Sequence, residues 1–269
     1  MNLSSIYAPV QSLLALTELE ITNMTREFAE PEVGEVLGQF LNHPGKRIRP
    51  ALLFLAAGAA NPASTAQPAL LVNAATAFEL VHSASLVHDD VIDVADSRRN
   101  VATINGRFGN TVAVLAGDIL YAQAFLMLSD DVPTFQTILD VTKQMCKGEI
   151  YQLRLATMTE ELYFKIIESK TARLMSACCE VGALRAGATA EVVVAFREFG
   201  RRFGFLYQLV DDWQDGDAPV KNYHFAGQIE RHRILAKECL KNLPDSACLT
   251  AMTDIVDQLA DMNMKNRRF

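Results

Sequence analysis

The sequence predicts an all-α protein, and three observations carry that reading. Apolar residues recur at three- and four-residue spacing through almost the whole chain, the period of a helix with one buried face. The breaks in that pattern fall at Pro31, Asn42-His43-Pro44-Gly45, Asn61-Pro62 and Pro133, residues that stop or turn a helix. The one short β-branched run, Val192-Val193-Val194, lies inside a longer helical pattern and does not read as a strand.

Taken in order, the periodicity predicts helices over about residues 4–29, 32–42, 48–60, 67–95, 109–129, 133–155, 159–187, 189–214, 225–240 and 246–266. The first two are separated by Pro31, and the second ends at Asn42-His43-Pro44-Gly45. The third carries Pro50 in its first turn, where a missing N–H costs nothing, and closes at Asn61-Pro62. The sixth starts at Pro133, and the remaining ends are set where the apolar spacing stops.

The fourth helix ends in Leu86-Val87-His88-Asp89-Asp90-Val91-Ile92-Asp93-Val94-Ala95-Asp96-Ser97-Arg98-Arg99. On a helix, Asp89 and Asp93 lie one turn apart on the same face, roughly 6 Å along the axis. Two carboxylates so placed repel each other unless a cation sits between them. Oxygen-only ligands favour Mg²⁺, which keeps part of its shell for water and for the phosphates of a substrate. Arg98 and Arg99 are placed to meet such phosphates. Alone, this cluster reads equally as a solvated acidic helix end, but Tyr207-Gln208-Leu209-Val210-Asp211-Asp212-Trp213-Gln214-Asp215 repeats its spacing after another apolar helical run. Two such faces opposed across a cavity would clamp one diphosphate through bridging metals.

Other polar groups join this pattern. Gly45-Lys46-Arg47-Ile48-Arg49-Pro50 puts three cations beside a helix start, a plausible anion site. His82 lies about two turns before Asp89, where a lone histidine also suits a hydrogen-bonded core position. Small Ala84 and Ser85 precede Asp89 by five and four residues. Lys170-Thr171 interrupts an apolar run, and Gln208 sits one turn before Asp211; polar groups facing a bundle interior need partners, which a diphosphate would provide.

Composition narrows the function classes. With 269 residues, half of them hydrophobic, the chain can bury a sizeable core, and no linker, charge block or repeat divides it, so residues 1–269 read as one domain. A net charge of −7 argues against a nucleic-acid partner. The five cysteines lack paired C-x-x-C spacing and read as reduced thiols. With no basic residue before Arg26, the start lacks a secretory n-region, and a cytoplasmic protein is expected. Pro50 to Phe78 is free of charge, but Asn61, Pro62, Ser64, Thr65, Gln67 and Pro68 interrupt it, so no stable membrane insertion is expected there.

Through Gly45–Pro50, His82–Arg99, Phe108-Gly109-Asn110 to Gly117-Asp118, Gly148-Glu149, Ser169–Leu174 and Tyr207–Asp215, the chain resembles the trans-isoprenyl diphosphate synthases, most closely the bacterial long-chain, octaprenyl-type members. The resemblance implies an isoprenoid-synthase-type antiparallel helical bundle around a central cavity, assembled as a homodimer. It implies Mg²⁺-dependent head-to-tail condensation of isopentenyl diphosphate onto an allylic diphosphate. Asp89, Asp93 and Asp211 would then ligate Mg²⁺, supported by Asp90, Asp212 and Asp215. Arg98, Lys170, Thr171 and Gln208 would hold the allylic diphosphate, and Lys46, Arg49, His82 and Arg99 would bind isopentenyl diphosphate. Asp89, Asp93, Lys170 and Asp211 would carry catalysis. Short-chain relatives close the tunnel with bulky aromatics where this chain has Ala84 and Ser85, so the product is expected to be longer than C20.

One departure stands out. After Asp215 the family continues through a lysine-bearing loop into further helices, whereas here Gly216-Asp217-Ala218-Pro219-Val220-Lys221-Asn222-Tyr223 leads soon into the last ones. The region is either natively short or lacks a segment, and a non-catalytic partner subunit of a heteromeric synthase is the alternative this raises. A terpene cyclase would share the fold but needs no isopentenyl diphosphate site.

Overall fold

The computed structural model describes residues 3–28, 30–41, 45–63, 68–98, 101–155, 157–216 and 223–265, in which the helical pattern becomes a layered bundle. Its helices are α1 (Leu3–Tyr7), α2 (Gln11–Glu27), α3 (Pro31–Leu41), α4 (Ile48–Ala60), α5 (Pro68–Ile92), α6 (Ile104–Phe108), α7 (Asn110–Met127), α8 (Val132–Arg154), α9 (Glu160–Ile167), α10 (Arg173–Arg185), α11 (Ala190–Asp215), α12 (Phe225–Leu240) and α13 (Ala247–Lys265). Val192, Val193 and Val194 are helical, as their surroundings predict.

The structure corrects several expected boundaries. The first helix is broken by a 3₁₀ turn, Ala8–Val10, around Pro9, which has no N–H to continue the ladder. The short α6 comes before the expected start at residue 109, capped by the Thr103 hydroxyl accepting from Gly106 N–H, and Gly109 at φ +86° turns the chain into α7. The expected helix over 159–187 contains a π-helical turn, Glu168–Ala172, closed by Arg173 N–H donating to Glu168 C=O. A small antiparallel hairpin, β1 (Ser97–Arg98) and β2 (Val101–Ala102), pairs Ser97 with Ala102. Two-residue strands are too short to show a period in sequence.

Packing decides which helices are inside. α4 is buried at Ile48 and from Pro50 through Ala59, which explains its uninterrupted apolar sequence. It packs on α10 so closely that the Gly182 backbone lies against that of Leu53. Phe54, Phe78, Phe196, Phe199 and Phe203 are fully buried, each contributing about 1.5–3 kcal/mol through apolar burial. α5 and α11, which carry the two acidic motifs, both pack on α4 and α10. Those central helices fix the places of both motif-bearing helices.

Two helices, α5 and α7, are long and apolar enough to cross a membrane by length and composition. The apolar window of α5 is 72% buried and belongs to the core, whereas that of α7 is only 28% buried. Val114, Leu115 and Leu126 of α7 are exposed, as are Val132 and Leu139 at the neighbouring start of α8.

Candidate active site

Two cavities flank the C-terminal half of α5. One, of about 330 Å³, is lined by Lys46, Arg47 and Arg49, by Glu79, His82, Ser83 and Leu86 of α5, and by Arg98 and Tyr207. The other, of about 250 Å³, is lined by Ser85, His88, Asp89 and Ile92 of α5, Tyr121 of α7, Met145, Cys146 and Glu149 of α8, and Lys170. Neighbouring faces of one helix thus look into a cationic cavity and an acidic one.

The cationic cavity holds the half-buried side chain of Arg49. Burial lowers the Arg49 pKa, partly countered by the negative charge of Glu79, and Arg49 Nε is buried without a hydrogen-bond partner. A buried cation with an unmet donor is costly unless an anion arrives. Lys46 is exposed at the rim, its Nζ 5.9 Å from the centre of the Tyr207 ring. His82 faces the same cavity. Arg99 lies outside the described residues.

Around the first acidic motif, α5 ends at Ile92 rather than near residue 95, but Asp93 N–H still donates to Asp89 C=O at 2.8 Å. The one-turn relation of Asp89 and Asp93 therefore holds. The helix closes in a Schellman arrangement: Ala95 N–H donates to Asp90 C=O, Val94 N–H to Val91 C=O, and Val94 takes the left-handed conformation at φ +54°. Asn105 Nδ2 and the Thr103 hydroxyl donate to Ala95 C=O at 2.9 and 2.6 Å, fixing the turn. Asp90 is buried and receives Arg98 Nε and Nη2 on one oxygen, at 2.9 and 2.7 Å. Asp90 thereby orients Arg98, which also lines the cationic cavity.

Asp89 faces the acidic cavity, and burial first, then Glu149 and Asp93, push its pKa up to about 6 against the pull of Lys170 and Arg98. Lys170 is ion-paired with Glu149 and donates to Gln152 Oε1 at 3.0 Å. It reaches this point because the π-helical turn lies close against two glycines. A Cβ on Gly148 of α8 would stand 2.8 Å from Lys170 and Ser169 side-chain atoms, and one on Gly204 of α11 would collide with Ala172.

The next residue of that turn leads to the second motif. Thr171 Oγ1 donates to Gln208 Oε1 at 2.8 Å, and Gln208 Nε2 donates to Asp212 Oδ1 at 2.7 Å. Tyr163 O–H donates to the other Asp212 oxygen at 2.5 Å. Asp212 is thus anchored inside the protein, while Asp211 and Asp215 are exposed. Trp213 stacks on Phe225, and Tyr223 packs edge-on to both Tyr163 and Phe225, so the chain returns to the bundle soon after the motif. Residues 217–222, where the sequence departs from the expected pattern, lie outside the described residues.

Among the described residues, no three acidic, histidine or cysteine side chains converge closely enough to hold an ion. Their chemistry nonetheless suits a hard divalent cation: the donors are carboxylates, and Asp89 carries a partly desolvated charge that such an ion would relieve. Asp89 lines the acidic cavity, whereas the carboxylates of the second motif do not line it.

Sequence reasoning passed over Glu79, Glu149, Tyr121 and Tyr163 as site residues, and counted Arg47 only among the three cations beside the start of α4. Glu79 carried a usable signal, as the sole charge between Pro68 and Val87.

The sequence model of the polyprenyl synthetase family matches residues 30–223. The chain belongs to that family. The chain is 36% identical over 228 residues to a prenyl transferase from Synechocystis, covering 81% of this chain and 68% of that protein. It is 38% identical over 179 residues to the octaprenyl diphosphate synthase of Escherichia coli, covering 65% of this chain and 54% of that enzyme. The match thus spans 68% of the length of the first of these relatives and 54% of the second. Its fold superposes on a decaprenyl diphosphate synthase from Rhodobacter capsulatus with a TM-score of 0.83 at 25% identity, over 97% of this chain and 99% of the other. The isoprenoid-synthase bundle expected from the sequence is therefore the fold observed.

Proposed function

We propose that residues 1–269 act as one catalytic domain that condenses isopentenyl diphosphate with an allylic diphosphate to give a long-chain polyprenyl diphosphate. The pair of oppositely charged cavities on neighbouring faces of α5 carries this reading. A diphosphate enters the cationic cavity unaided, meeting Arg49, Lys46 and His82, with Arg99 assigned to it by the family resemblance alone; Arg98, expected on the allylic diphosphate, also lines this cavity. The second diphosphate needs a divalent cation, Mg²⁺, to approach Asp89 and Asp93 on one wall and Asp211 on the other, with Asp90, Asp212 and Asp215 in support. When bound, that ion supplies Lewis-acid neutralisation of a departing diphosphate.

The chain's own groups do the rest. Lys170 places a positive charge beside Asp89, where the allylic diphosphate leaves with the electrons of its C–O bond. Thr171 and Gln208 hold the opposite wall in register through their hydrogen bond. The alkene of isopentenyl diphosphate, held in the adjoining cavity, attacks the allylic carbon. The new C–C bond forms as a proton passes to the departed diphosphate. Ser85 leaves room beside Asp89 for the growing chain, which supports the long product.

We also infer a homodimer, supported by the exposed Val114, Leu115 and Leu126 of α7, an apolar face that a second copy would cover. A partner-subunit role is the second reading, motivated by the departure after Asp215. Calorimetry of the two diphosphates with and without Mg²⁺ tests the main reading. Isopentenyl diphosphate is expected to bind in EDTA and an unreactive allylic thiodiphosphate only with Mg²⁺; metal-independent binding of both would contradict the assignment of the acidic cavity.

A further inference from the structure

Arg47 stands between Lys46 and Arg49, yet its guanidinium is committed inside the protein. Its Nε and Nη2 bind the two carboxylate oxygens of Glu18 on α2 at 2.5 and 3.0 Å, and its Nη1 binds Glu79 Oε1 on α5 at 2.8 Å. The Arg47 side chain is 11% exposed and that of Glu79 6%. Burial works against the cation, but the hydrogen bonds to Glu18 and the charge of Glu79 more than reverse this and raise its pKa. The backbone here is unusual too. Arg47 adopts φ +49°, ψ +36° at the N-cap of α4, a left-handed conformation that side chains other than glycine rarely take. A fork holding two carboxylates on two different helices accounts for its persistence.

The conformation has a consequence for its neighbours. A left-handed residue just before α4 reverses the chain so that Lys46 stands exposed at the cavity while Arg49, the second residue of the helix, is half-buried in its wall. The Tyr7 O–H donates to Lys46 C=O at 2.9 Å, fixing the other side of the turn. Glu79 Oε1 is taken by Arg47, while its buried Oε2 has no hydrogen-bond partner and its charge acts on Arg49. Arg47 thus fixes the carboxylate that balances Arg49 as well as the turn that aims it.

We infer that Arg47, clamped by Glu18 and Glu79, is a positioning residue for isopentenyl diphosphate, presetting Lys46 and Arg49 from the cavity wall while its own guanidinium stays bound to the two carboxylates. This rests on the assignment of the cationic cavity in the proposed function.

Arg47→Gly is the informative variant because glycine favours the left-handed backbone, so a loss cannot be ascribed to strain. A misplacement of about 1 Å costs on the order of 100-fold where groups must be preset. Calorimetry on the full chain in EDTA should therefore show isopentenyl diphosphate binding at least roughly tenfold weaker. With Mg²⁺, binding of an allylic thiodiphosphate should be unchanged, and in turnover the KM for isopentenyl diphosphate should rise while that for the allylic substrate does not. Arg47→Lys, which keeps the charge and loses the fork, should recover only part of the affinity. Glu18→Gln should weaken the same affinity with an unchanged melting temperature, and it decides the matter if Arg47→Gly fails to fold. Equal isopentenyl diphosphate affinity in wild type and the foldable variants would overturn the positioning role, as would parallel loss for both ligands. A wild-type protein that binds no isopentenyl diphosphate would instead refute the cavity assignment and the inference with it.

Discussion

Replacing Asp89 by Asn should stabilise the metal-free protein while removing its response to Mg²⁺. Asp89 has its pKa raised from the ordinary 3.8 to about 6, chiefly by burial and then by Glu149 and Asp93. Two pH units correspond to about 3 kcal/mol, and the water still reaching a half-buried carboxylate reduces this to roughly 1–2 kcal/mol. Because the folded pKa lies above the unfolded one, the native state holds the extra proton between about pH 4 and 6. Asp89 therefore favours the fold below about pH 4, and that contribution is lost as pH rises through 6. At pH 7.5 in EDTA, thermal denaturation of Asp89→Asn should give a melting temperature roughly 2–8 °C above wild type, narrowing toward pH 4. Added Mg²⁺ with diphosphate should stabilise wild type and leave the variant nearly unmoved, while turnover falls by orders of magnitude. A variant that loses stability at pH 7.5 as well as activity would make Asp89 a structural partner and refute the metal assignment.

Four further outcomes follow from the geometry. Ser85 lines the cavity beside Asp89 whereas Ala84 is fully buried and does not line it, so Ser85→Phe should shorten the product seen by chromatography of dephosphorylated chains. Ala84→Phe should instead overpack the core and cost about 1–3 kcal/mol in denaturant unfolding. Gly204→Ala puts a methyl group into Ala172 and should cost a similar amount while displacing Lys170 and Thr171, which steady-state kinetics would report as a fall in turnover. Burial and then the charges of Arg202, Arg231 and Arg201 lower the His232 pKa from 6.5 to about 4, so stability should fall as pH drops from about 6.5 toward 4. His232→Phe, placed between Phe164 and Phe205, should flatten that part of a pH–stability curve.

The helices were legible because each buries one face, and the spacing of Leu, Val, Ala and Phe records that face directly. The acidic motifs were legible because a single turn relates Asp89 to Asp93, a relation that survives the end of α5 at Ile92. Pairing between distant segments was not. That Arg98 spends two of its nitrogens on Asp90 depends on the turn at Val94 and on the hairpin, neither of which has a sequence period. The double hold on Arg47 joins residues 29 and 32 positions apart. The π-helical turn carrying Lys170 packs closely on Gly148 and Gly204, an approach that only the folded arrangement reveals. Chain length was read from two small residues before Asp89, and of these only Ser85 lines the cavity, which Tyr121 from α7 also lines.

The most direct test of the central claim is turnover of the purified full chain with labelled isopentenyl diphosphate and C5, C10, C15 or C20 allylic diphosphates in Mg²⁺. Label should enter an extractable polyprenyl product longer than C20 with at least one primer, and EDTA should abolish it. No incorporation with any primer would contradict the catalytic assignment. Incorporation that appears only when a homologous synthase is added would assign the chain to a partner subunit.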